Sequence, residues 1–174
     1  MFRLFRLSAN RAVIDRLSGE IVAAARRPAL FAEYGIEDSV DGRFEALTLH
    51  AALVLRRLNR MPPPGPEMAQ DLAHSIFRSF DAALRERGIG DLSVPRHMRT
   101  FAAAFLGRAG AYDLALRGGA QGLSAALLRN VYAGYGNPDR LARYVGVAVE
   151  ALDKAALEDF LAAKIPFPEP AAIP

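Results

Sequence analysis

The side chains in this sequence best suited to metal or acid–base chemistry are three histidines, His50, His74 and His97. A helical metal pair needs two ligands at i,i+4 on one face, and no two of the three are so spaced. No Glu-x-x-His di-iron motif occurs. His97-Met98 joins two haem-ligand types, but adjacent helical residues point about 100° apart and cannot both face one iron. Gly88-Ile-Gly90 and Gly134-Tyr-Gly136 lack the strand, third glycine and downstream acid of a dinucleotide site, and both read as turns. There is no G-x-S-x-G, no phosphate loop and no Cys, which excludes thiolate metal sites and a disulfide framework. The expectation is a protein that is not an enzyme and has no metal, cofactor or small-molecule substrate.

What remains are groups suited to recognition. Arg108 and Tyr112 stand one helical turn apart on the Phe105 side of a helix. Their residue types are favoured at partner-facing hot spots. The residues alone favour a plainer structural role, an Arg stem packed on an aromatic ring with the Tyr hydroxyl at a core edge. Asp113 is spaced to pair with Arg117. At the N-terminus, MFRLFRL offers Phe2, Arg3, Phe5 and Arg6. That segment suits an anionic membrane surface or ribosomal RNA; a frayed terminus explains it as well as the two together.

These groups must be held by helices, because no segment alternates with period two. A helix is expected over about Ala9–Arg27, with Ser8 as N-cap and Ile14, Leu17 and Ile21 on its apolar face. Pro28 ends or restarts it. A short turn of helix closes at Gly35. Arg43–Arg60 is apolar on most sides, which predicts a central helix, and Met61-Pro-Pro-Pro-Gly-Pro66 follows as a stiff connector. Pro66–Arg87 is amphipathic, with Asp81–Arg85 at i,i+4, and ends at Gly88. A further helix enters through Ser93-Val94-Pro95, carries Phe101, Phe105, Ala109, Tyr112 and Leu116 at helical spacing, and stops at Gly118-Gly119. Ala120–Tyr132, Pro138–Asp153 and about Ala155–Lys164 complete an all-α, single-domain bundle of about seven helices. The expected divisions are a basic apolar N-terminal segment at 1–8, a helical domain at 9–165 and a loosely held Pro-rich tail at 166–174.

The bulk numbers agree with one folded domain. The 174 residues are 52% hydrophobic and 24% charged. Of 22 basic residues 20 are Arg, a bias that a GC-rich genome explains before bidentate anion recognition does. Residues 1–27 hold six Arg against Asp15 and Glu20, while the rest carries 16 basic and 17 acidic residues. A basic face on the body, as nucleic-acid-binding domains usually have, is therefore not expected. The longest uncharged stretches, such as Gly118–Leu128 and Ala46–Leu55, fall far short of a membrane span. No secretory signal is visible.

Several stretches in order resemble the ubiquinol–cytochrome c chaperone family. IVAAARRPALFAEYGIEDSVDGRFEALTLHAALVLRRL (21–58) is similar to its N-terminal half, in which a basic helix leads through R-x-P to a Y-G turn and a D-G-R-F-E helix entry. DAALRERGIGDLSVPRHM (81–98), FLGRAGAYDLAL (105–116) and LLRNVY (127–132) resemble the core signature and its continuation. The likeness spans most of residues 17–160.

The resemblance implies an assembly chaperone, without catalysis or bound cofactor, that holds newly made cytochrome b while haem is acquired and the cytochrome bc1 complex is built. It implies action near the ribosome and at the inner face of an energy-transducing membrane, with no DNA partner. Met1 lies close to the start of the matched stretch, and with the Arg-rich composition this leads us to expect a bacterial cytoplasmic member, peripheral at that membrane. A holder of apolar cytochrome b needs an exposed apolar groove with a polar rim. The expected wall is the DLSVPRHM loop and the helix after it, with Arg96, Met98, Phe101, Phe105, Arg108 and Tyr112 at the contact; for Phe101 and Phe105 a place in the buried core is the favoured alternative. The competing expectation is a helical nucleic-acid-binding regulator.

Overall fold

The computed structural model describes residues 2–86, 88, 90–91 and 93–174, with side chains described from residue 11 onward except at 120. Eight α-helices and one 3-10 turn form a single all-α domain, with no strand among the described residues. The helices are α1 (Phe2–Ala25), α2 (Pro28–Ala32), α3 (Val40–Leu58), α4 (Gly65–Glu86), α5 (Val94–Gly118), α6 (Ala120–Asn130), α7 (Asp139–Lys154) and α8 (Leu157–Leu161). None of the described helices is long and apolar enough to cross a membrane.

The central position expected for the third segment belongs to α3, which packs on α1, α4, α5 and α7. Ser39 caps it by accepting a hydrogen bond from the Gly42 amide at 3.1 Å, and Asp41 and Arg56–Arg57 complement its two ends. Gly42 is required by a close approach: a Cβ there would lie 1.9 Å from the Glu37 carbonyl oxygen. Leu49, Leu53, Val54 and Leu58 are all buried, so α3 meets apolar neighbours on most sides. Pro95 occupies the first turn of α5, and the chain reverses into α6 at Gly119, whose φ of 88° suits glycine. The local ion pair Arg85–Asp81 forms as its spacing predicts, at 2.8 Å.

Three expectations need correction. The first helix does not begin at Ala9. The backbone is helical from Phe2, which puts Ser8 inside α1 rather than at its cap; MFRLFRL contains no breaker, and Leu, Arg and Phe all tolerate a helix. The helix expected over 155–164 shrinks to the five residues of α8, because Ala155 and Ala156 are extended and Ala163 adopts φ 56°. Finally, the Pro-rich tail is not loose. Tyr34 donates to the Pro170 carbonyl at 2.7 Å, Arg27 to that of Pro168 and Arg140 to that of Ile173 at 3.0 Å, while Pro170 and Ile173 are buried. These donors, distant in sequence from their acceptors, tie the tail to the residues flanking α2 and to α7.

Among the histidines, His74 and His97 are exposed and His50 is fully buried. His50 Nδ1 lies 2.7 Å from the Ala46 carbonyl oxygen, which can only accept. The ring is therefore the Nδ1–H tautomer, and its Nε2 accepts from the Tyr144 hydroxyl at 2.8 Å. Burial lowers the His50 pKa to about 4, so the ring is neutral near pH 7. No group of three His, Cys, Asp or Glu side chains that could hold a metal occurs among the described residues.

Candidate partner-binding groove

The α1, α3, α4 and α5 helices leave an apolar groove of about 460 Å³ between them. Its distinctive feature is a cluster of three phenylalanines from three helices. Phe80 of α4 stacks on Phe101 of α5, with ring centroids 5.3 Å apart and planes 9° apart. Phe44 of α3 tilts against both, at 5.8 and 5.3 Å. Val22, Ala25, Val40, Leu47 and Leu84 extend the apolar lining, and the rim carries Arg26 and the exposed pair Arg43–Asp38 at 2.7 Å. The Arg43 guanidinium holds the Asp38 carboxyl below the usual range.

An ion pair fixes the wall of this groove. Arg108 of α5 reaches Glu45 of α3, with Nε–O distances of 2.6 and 2.7 Å, and its guanidinium lies 5.5 Å from the Phe44 ring centroid. Glu45 is buried. Burial raises its carboxyl pKa, and Arg108 pulls it back only in part. The same pairing holds Arg108 above its ordinary value.

The sequence-derived contact set is thus divided. Phe101 lines the groove, and Arg108 contacts the groove residue Phe44 without itself lining it. Phe105 and Tyr112 do not form a surface. Each is 1% exposed, Phe105 in an edge-on contact with Phe77 at 5.3 Å. The correction has a simple cause: α5 packs on α3, α4 and α6, so its i,i+4 aromatic stripe is the buried face. Burial pushes the Tyr112 hydroxyl far above the tyrosine range, so it stays protonated. Arg96 is exposed and Met98 half-buried, and neither lines the groove. Asp113 pairs with Arg117 as expected, and with Arg56 and Arg60 as well. The side chains of Phe2, Arg3, Phe5 and Arg6, candidates for membrane or ribosome contact, lie outside the described residues.

Sequence reasoning missed Phe44, Phe80 and Glu45 as members of this site. Phe80 stood in an amphipathic stripe and Phe44 at the D-G-R-F-E helix entry, but nothing local marks them as neighbours of Phe101.

Comparison with known proteins agrees with this architecture. No curated protein matches the chain. A solved structure described as the crystal structure of the Cbp3 homolog from Brucella abortus superimposes with a TM-score of 0.87 at 36% sequence identity, over 99% of each chain. The sequence profile of the Ubiquinol-cytochrome C chaperone family matches residues 32–167, which include most of the groove and the whole of the Arg108–Glu45 pair. On a match across most of its length, the chain belongs to the ubiquinol–cytochrome c chaperone family.

Proposed function

We propose that this protein holds newly made cytochrome b and promotes its maturation into the cytochrome bc1 complex, as a non-catalytic chaperone at the inner face of the cytoplasmic membrane. The observation that carries the proposal is family membership over residues 32–167. The phenylalanine groove supports it physically: an apolar, partly open channel with a charged rim suits an extended or helical apolar segment that has not yet found its own partners. Phe44, Phe80 and Phe101 supply the apolar contact, and Arg26 and the Arg43–Asp38 pair flank it. The Glu45–Arg108 pair positions α5 against α3, and so keeps the wall in place.

The test is deletion of the gene in the source organism, followed by haem-b spectroscopy and bc1 activity of the membranes. Loss of both, with other respiratory cytochromes intact and restoration by the gene in trans, is the expected result. Unchanged bc1 content refutes the proposal. The groove is tested by complementation with Val40→Asp. Val40 lines the groove at the first turn of α3, where an acid is compatible with the helix. A folded Val40→Asp protein should fail to restore cytochrome b.

A further inference from the structure

The outward face of α5 has no described neighbour. Ala103, Leu106, Gly107, Gly110 and Leu114 are all exposed, and Leu106 and Leu114 are 64% and 71% exposed. A Cβ built on Gly107 or Gly110 would meet nothing within 4 Å. Leu106 also borders a second groove between α3, α4 and α5, floored by Ala69, Ala73, Phe77 and Ala109. This apolar strip is bounded by arginines on the same helix face, exposed Arg99 on one side and exposed Arg117 on the other. At a helical rise of about 1.5 Å per residue they stand about 27 Å apart.

The charge around the strip is unbalanced. Arg56, Arg60 and Arg117 converge on the single carboxylate of Asp113, with Arg56 at 3.2 Å and Arg60 at 3.3 Å; Asp153 touches only Arg56, at 4.0 Å. Across residues 94–130 there are five Arg against Asp113, although the chain beyond residue 27 is nearly neutral. Only Arg108 of those five is committed to a buried partner, Glu45. Arginines in excess of their carboxylates are suited to bidentate contact with phosphate oxygens. Leucines this exposed gain nothing from a phosphate backbone, which argues against nucleic acid. An apolar strip flanked by arginine matches a surface that has acyl chains beneath a layer of phosphates.

We infer that the outer face of α5 docks on an anionic phospholipid bilayer. Leu106 and Leu114 enter the boundary between headgroups and acyl chains, and Arg60, Arg99 and Arg117 take lipid phosphates. The inference rests on the membrane placement proposed above, and it gives that placement a specific surface and orientation, distinct from the phenylalanine groove and from the N-terminal segment.

The experiment is co-sedimentation of the full chain with vesicles of mixed phosphatidylglycerol and phosphatidylcholine, and with phosphatidylcholine alone. The protein should bind the anionic vesicles and not the neutral ones. Leu106→Gln/Leu114→Gln and Arg60→Gln/Arg117→Gln should each weaken binding by about tenfold or more, with thermal unfolding unchanged for the leucine variant because both side chains are exposed. Arg3→Gln/Arg6→Gln should bind like the parent. Four results overturn the inference: no vesicle binding, equal binding to both vesicle types, full binding by the leucine variant, or loss confined to the N-terminal variant. Release of bound protein by single-stranded RNA, with equal RNA affinity in parent and leucine variant, also overturns it in favour of nucleic acid. The chaperone proposal is scored separately, by bc1 activity in the deletion strain, so either can fail alone.

Discussion

The sharpest consequence of the core concerns acid. His50 is fully buried as a neutral ring, with a pKa lowered to about 4 from an ordinary value of 6.5. In the unfolded chain the same ring takes up a proton below about pH 6.5. As pH falls from 6.5 toward 4 the unfolded state therefore binds more protons than the folded state, and stability falls; below about 4 both states are protonated and this contribution levels off. A difference of about 2.5 pKa units corresponds to roughly 3 kcal/mol in full, and to roughly 2–3 kcal/mol between pH 8 and pH 4.5. That is a large part of a typical domain stability of about 5–15 kcal/mol. The assay is urea unfolding of the parent and His50→Phe at several values between pH 8 and pH 4.5. The variant keeps a ring in the cavity and removes the titration. It will be less stable at pH 8, since the Ala46 carbonyl and Tyr144 hydroxyl lose their partner, but its pH dependence should be shallower by roughly 2–3 kcal/mol. Equal losses in the two proteins refute the reasoning. If the variant does not fold, the His50 ring proton resonances in the parent should still report a neutral imidazole at pH 5.

Three further outcomes follow from the same geometry. Phe105→Ala should cost about 3–5 kcal/mol in urea unfolding and Phe101→Ala about 1–2 kcal/mol, because only the first empties a closed core site. Arg108→Ala strands the buried Glu45 carboxylate and should cost about 3 kcal/mol at pH 7, less at pH 4.5, where a carboxyl already raised by burial takes up its proton; a penalty independent of pH speaks against the buried pair. Removal of residues 166–174 should lower the Tm by roughly 5 °C or more, since Phe167, Pro170 and Ile173 leave the core, whereas a truly loose tail could be removed with no change in a thermal melt.

Most of what depends on residues within a turn or two of each other could be read from the sequence, the start of α1 and the extent of α8 being the exceptions. Pro28, Gly88, Pro95 and Gly119 mark helix ends because proline lacks an amide donor and glycine tolerates positive φ. Asp81–Arg85 and Asp113–Arg117 form because helix geometry brings i and i+4 together whatever surrounds them. The apolar girth of Ala46–Leu58 made α3 central, and the ordered motifs from residue 21 to residue 132 carried the family.

Which helix faces meet is settled only by packing between elements far apart in the sequence. The aromatic stripe of α5 was legible, and a core place for Phe105 with it, but not that α3, α4 and α6 close over Tyr112 as well and leave Phe101 to a groove. Phe44, Phe80 and Phe101 come from three helices, Glu45 and Arg108 lie 63 residues apart, and His50 and Tyr144 lie 94 apart. Each helix has an apolar arc wide enough to admit several rotations against its neighbours. The rotation adopted is set by apolar burial over the whole bundle together with partners for buried groups such as Glu45 and His50, a condition on all the helices at once that no local window contains.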